Sequence, residues 1–222
     1  MTEFPSVRRL VRYPIWLVRF ERHYPLAMGF LRMQEHYESD NPDFRGHAFG
    51  LEEYMEWYSR EYGDGSFTYP MDWQGFNVPS TSVRAVRDHF PDHLHQERVL
   101  LSALAAAGAL SEERFYVLGT SCETCPDEEH DRPDSTLAHE LRHGLYFCEE
   151  TFREGVAEAL ACYPSPELTA VLRAKGYCAE VIPDELQAYT LTGWLKDYAP
   201  TPSDLALRDV LREVEAPFLP IE

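Results

Sequence analysis

The sequence contains no apolar run of the roughly 18 residues that crossing a bilayer requires, because charged or polar side chains interrupt every hydrophobic stretch well short of that length. The short "PIWLV" near the start is too brief for a signal-peptide core, and charged residues crowd both of its flanks. Its basic surroundings (Arg8, Arg9, Arg12, Arg19, Arg22) admit a transit peptide, but "YPIWLVRF" reads better as a first strand. Positive charge is also scarce, with 20 Lys and Arg against 38 Asp and Glu and a formal net charge of −18. Such a field repels phosphate backbones and anionic lipid surfaces, which argues against nucleic acid or a membrane as partner.

Cysteine is sparse too. The five present (Cys122, Cys125, Cys148, Cys162, Cys178) are odd in number and irregularly spaced, which fits a reducing, cytoplasmic setting better than a disulfide framework. Cys122 and Cys125 form a C-x-x-C, but no second pair completes a structural zinc site. Spacing alone leaves metal binding, a disulfide and ordinary loop thiols open for that pair. Repeats and low-complexity linkers are lacking as well.

What is present is a globular composition, with 222 residues, 44% of them hydrophobic and 13% aromatic. One compact domain over 1–222 is expected, with an aromatic-rich N-terminal lobe at 1–110 and a second lobe at 111–222. Apolar periodicity predicts helices at 25–38, 51–61, 82–90 and 93–107, the last closed by Gly108. His93 and His95 sit two apart and point away from each other, as surface or capping residues do. Between 62 and 80, Gly, Pro, Asn and Asp predict mostly loop with short extended pieces. Its aromatics (Phe67, Tyr69, Trp73, Phe76) read as packing that pins the loop, with a substrate groove as the alternative. "RFYVLGTS" (114–121) is the clearest strand, and helices follow at 149–162, 166–175, 184–198 and 203–215. The fold class is therefore α/β and mainly helical (α+β).

Between that strand and those helices lies "LAHELRHGLYF" (137–147), capped by Asp134 or Ser135. Residues four apart on a helix share a face, so His139 and His143 can aim both imidazoles at one ion. Glu140 is rotated by about 100° from His139, outside the same coordination sphere but within reach of an activated water. It can take that water's proton during attack on a carbonyl and hand it to the leaving amine. Leu137, Leu141, Leu145 and Cys148 form an apolar stripe for the core on the other face.

In "HELRH" the chain resembles the zincin metallopeptidases, over residues 115 to about 190. The resemblance implies one zinc per chain, Glu140 as general base, a peptide or protein substrate lying along the edge of the "FYVLGTS" strand, and a third ligand downstream. A metzincin continuation is excluded, since Cys148 and Glu149 stand near the expected histidine. A gluzincin-like carboxylate on a later helix fits better. Glu154 in "FREGVAEAL" lies only 11 positions past His143, too near for a new helix to fold back over the metal. Glu185 in "PDELQAY" lies 42 positions on, in the first turn of a helix, and its E-x-x-A spacing to Ala188 resembles minimal gluzincins. Glu185 is the expected ligand, with Asp184 as a further alternative. Tyr189 stands where the thermolysin-like branch has an Asp that orients a histidine. Tyr189 and Tyr146 are also the candidate donors to a developing oxyanion.

Two other readings share these residues. Two histidines and a carboxylate are also the ligand set of non-haem iron oxygenases. A catalytically idle, metal-containing binding domain is the other, against which Glu140 argues, since metal retention needs no base.

Overall fold

Strand β2 (Ile15–Phe20) is buried at all but one position and β4 (Tyr116–Ser121) at every position, a pattern that requires cover on both faces. In the computed structural model, which describes residues 4–10, 13–124, 135–175, 177 and 179–219, the two strands pair in parallel, from Ile15 opposite Tyr116 to Phe20 opposite Ser121. Strand β1 (Ser6–Arg9) adds antiparallel to β2, and β3 (Phe76–Pro79) antiparallel to β4. The sheet order is β1-β2-β4-β3, so β4 is an inner strand. This corrects the expectation that its edge is open to substrate: Phe76–Pro79, read from sequence as loop with extended pieces, occupies that edge.

The chain divides into two units, Met1–His130 and Asp131–Glu222. The first holds the sheet, α1 (His23–Glu38), α2 (Leu51–Glu61), α3 (Tyr69–Asp72), α4 (Ser80–His89) and α5 (His95–Ala106). Helix α1 lies against β4, and Gly119 is what lets it: a Cβ there would sit 2.7 Å from the Phe30 ring. Tyr69 and Phe76 are core residues and Phe67 packs against them, while Trp73 is exposed, so three of the four loop aromatics pack as expected.

The second unit is helical among its described residues: α6 (Thr136–Cys148), α7 (Glu150–Cys162), α8 (Pro166–Ala174), α9 (Ile182–Thr192) and α10 (Pro202–Glu215). The Ser135 hydroxyl caps α6 by accepting from the Ala138 N–H at 3.0 Å, while Asp134, the other expected cap, lies outside the described residues. Helix α9 packs on α6, and α10 packs on α7 and α9. Helix α9 starts two residues earlier than predicted and ends at Thr192, six residues short of the expected Tyr198, because the chain leaves it at Gly193, whose φ of 155° is one that side chains rarely adopt. Among the described residues no helix is long and apolar enough to cross a membrane. Cys125 and Cys178 lie outside the described residues, and with Cys125 the C-x-x-C pair; Cys122 and Cys162 are free thiols.

Candidate metal site

The site is built by two helices of the second unit. Helix α6 is apolar at Leu137 and Leu145, which are buried, while Leu141 and Cys148 of the same stripe are only partly so. Its other side is covered by α9, so Glu140 and His143 are buried as well. Ala188 of α9 is fully buried, and such a small side chain lets two helices approach closely.

Across this contact His139, His143 and Glu185 converge. The two Nε2 atoms are 3.1 Å apart, and Glu185 lies 3.9 Å from His139 Nε2 through Oε2 and 3.8 Å from His143 Nε2 through Oε1. With one donor atom taken from each residue the three lie within 4.8 Å of one another, near the roughly 4.2 Å span that a single ion about 2.0–2.1 Å from each donor allows, and a different carboxylate oxygen is the nearer one to each imidazole.

The hydrogen bonds on the far side of each ring assign the tautomers. His143 Nδ1 is 3.0 Å from Asp184 Oδ1, and a carboxylate only accepts, so Nδ1 carries the proton. His139 Nδ1 is 3.2 Å from Thr192 Oγ1, which spends its own proton on the Ala188 carbonyl at 2.7 Å and therefore accepts as well. His139 Nε2 is then left with a lone pair facing His143 Nε2, and beside them Glu185 Oε2 is buried without a hydrogen-bond partner. A cation here would take the place of the His143 Nε2 proton, leaving three Lewis bases around it.

Electrostatics agree. Burial, reinforced by Asp184 and Glu140 and opposed by His143, pushes the Glu185 carboxyl up to about 7. Burial alone would lower His143, but Asp184, Glu185 and Glu140 raise it well above the ordinary imidazole value. His139 is driven well below that value by burial, His143 and Arg142. The raised Glu185 and His143 record the carboxylates gathered around this point, while His139 responds to burial and to the positive charge of its neighbours.

The chain matches no protein-family profile, no curated protein and no solved structure. The site therefore rests on its own geometry.

Glu140 follows His139 on α6 and stands outside the ligand group, yet its charge bears on Glu185, His143 and Tyr189. The Tyr189 ring packs edge-on against His139 with centroids 4.6 Å apart, and its hydroxyl lies 3.5 Å from that of Tyr177. Burial raises Tyr189, so it stays a protonated donor. Tyr146 is partly buried on α6, where the Asp184 charge helps raise it. Glu154 is exposed on α7 and takes no part in the ligand group.

Two contributions escaped sequence reasoning. Thr192 had a signal, lying seven residues after Glu185 and so on the same helical face. Arg142, inside the motif, puts Nη2 2.5 Å from Glu215 Oε1 of α10 and donates from Nη1 to the Ala138 carbonyl at 2.7 Å. Nothing in the local sequence points to that partner.

Proposed function

We propose that the chain is a zinc-dependent hydrolase of peptide-like bonds, a gluzincin-like metallopeptidase or amidase acting on a peptide or protein substrate in the cytoplasm. The observation that carries this reading is the convergence of His139, His143 and Glu185 with Glu140 one position from the first ligand. The three ligands would hold one zinc per chain. When bound, zinc supplies a Lewis acid for the scissile carbonyl and lowers the pKa of a coordinated water to about 7.

The remaining chemistry belongs to the side chains. Glu140 accepts the proton of the attacking water on a carboxylate oxygen and returns it to the leaving nitrogen. Its placement beside the ligands suits a base and adds nothing to metal retention. The Tyr189 hydroxyl is the candidate donor to the oxyanion as charge develops there. Burial of Glu140, His143 and Glu185 strengthens each of these electrostatic interactions.

Metal analysis of protein purified without added metal tests the reading, with zinc near one per chain as the expected result. Glu140→Gln should keep that zinc while turnover of an amide substrate falls about 10²–10⁴-fold. Iron in place of zinc, with oxygen-dependent turnover, would convert the assignment to an oxygenase, because the donor set serves both metals. Loss of metal and activity together in Glu140→Gln would show that Glu140 is a ligand.

A further inference from the structure

We propose that Asp184 and Thr192 are positioning residues that lock the two imidazoles into the one tautomer and rotation able to take a metal, so that α9 supplies both a ligand and the partners that aim the other two. The inference rests on the metal-centre reading above and adds how this chain prepares the centre.

Consider what each imidazole can do if left alone. Either nitrogen can carry the proton, and the ring can turn over about its bond to Cβ. In only one of these states does Nε2 offer a lone pair toward Glu185. Asp184 selects that state for His143. Its Oδ1 accepts from His143 Nδ1–H at 3.0 Å and from Gln187 Nε2 at 2.9 Å. Gln187 is fully buried, so the aspartate is itself clamped, and its oxygen is a fixed acceptor. A ring turned over would bring a carbon to that oxygen and forfeit a charge-assisted hydrogen bond.

Thr192 does the same for His139 by a different route. A free hydroxyl could donate or accept and would select no tautomer. Here the hydroxyl proton is committed to the Ala188 carbonyl at 2.7 Å, which leaves Oγ1 only able to accept, 3.2 Å from His139 Nδ1. The two partners sit near opposite ends of α9, and the two histidines meet them in reverse order along α6, so the helices run antiparallel here. Slippage of one helix along the other would misalign both pairs. The expectation from the resemblance looked for an orienting carboxylate four residues after Glu185, where Tyr189 stands. This chain places it one residue before.

An ionised acceptor binds an N–H more strongly than a hydroxyl does, so Asp184 should matter more than Thr192. The test measures zinc affinity of the full-length protein by competition with a chromophoric chelator, in wild type, Asp184→Ala, Asp184→Asn, Thr192→Val and Glu185→Ala. The expected result is a loss of about 10–100-fold for Asp184→Ala, a smaller loss for Thr192→Val, and the largest for Glu185→Ala. Asp184→Asn keeps the shape and an acceptor oxygen, so it should fall between wild type and Asp184→Ala, and it serves if the alanine variant does not fold.

Nitrogen-15 NMR of the zinc-loaded proteins gives a second readout. In wild type both Nδ1–H protons should be visible and slow to exchange with water. Asp184→Ala should lose that protection at His143 alone, and Thr192→Val at His139 alone. Unchanged affinity and protection in a folded Asp184→Ala protein would overturn the proposal. So would a loss in Asp184→Asn as deep as in Glu185→Ala, which would make Asp184 a ligand. Failure of the wild-type protein to bind zinc would remove the metal-centre reading and this one with it.

Discussion

At position 185 the difference between a metal ligand and a surface carboxylate depends on which helix the residue begins. Glu185 occupies the first turn of α9, where Pro183 sets the helix start and packing on α6 buries the side chain beside two imidazoles. Glu154 has the same side chain on an exposed face of α7. Calorimetric zinc titration should therefore show Glu185→Ala losing more than the 10–100-fold typical of an outer hydrogen-bonding partner, with Glu154→Ala indistinguishable from wild type. The reverse pattern would transfer the ligand role to α7. His139, Glu140 and His143 were legible in the sequence because helical periodicity alone puts them in place. Glu185 was legible more weakly, through chain length and the small Ala188 that lets helices close. The pairings of Asp184 and Thr192 were not, since they depend on rotamers meeting across two helices rather than on any spacing within one.

Elements show the same division between local and long-range causes. The helices carry their own caps and periodicity, so most ends fell within two or three residues of expectation, with Ser135 signalling the start of α6, whereas α9 was expected to continue through Gly193, where it in fact stops. The small strands carry little. "SVRR" is a mostly exposed four-residue segment that becomes β1 only because β2 lies beside it, and "FNVP" ends in a proline that demotes a run to an edge, where β3 in fact sits. A tertiary bond also holds the motif helix. Arg142 and Glu215 form a buried pair between α6 and the last residue of α10, their side chains 9% and 4% exposed. Removing one partner leaves the other charge uncompensated, so Arg142→Ala should cost about 3–5 kcal/mol by denaturant titration. The double variant Arg142→Met, Glu215→Leu buries no charge and should recover most of that loss. A double variant no more stable than Arg142→Ala would show that helix packing, and not the stranded charge, sets the cost.

For the molecule as a whole, the two units meet at 130/131, and β4 belongs to the first because it hydrogen-bonds to β2, about a hundred residues earlier. No local pattern tells a strand which sheet it will join. The first unit also holds a charge problem of its own. Glu35 of α1 is buried in an aromatic core, and its carboxyl is pushed up to about 7, chiefly by burial. The hydroxyls of Ser39, Tyr54 and Tyr69 bear on it and offset part of that rise, but each is buried without a completed hydrogen bond. In the unfolded chain the same group titrates near 4.5. Between those values the folded state holds a proton that the unfolded state has released, so stability falls as pH rises from about 4.5 to about 7 and levels off above that. The loss is of order 3 kcal/mol when the full shift is expressed. His36 works in the opposite sense, since burial lowers it and folding is then penalised as pH falls below the ordinary imidazole value. A comparison of wild type with Glu35→Gln removes that and every other shared contribution. Three of the four tryptophans (Trp16, Trp57, Trp73) lie in the first unit, so fluorescence-monitored urea unfolding reports on it. Glu35→Gln should gain on wild type from about pH 4.5 to about pH 7 and hold that gain at higher pH, and parallel pH profiles for the two proteins would mean that Glu35 is ionised in the core throughout.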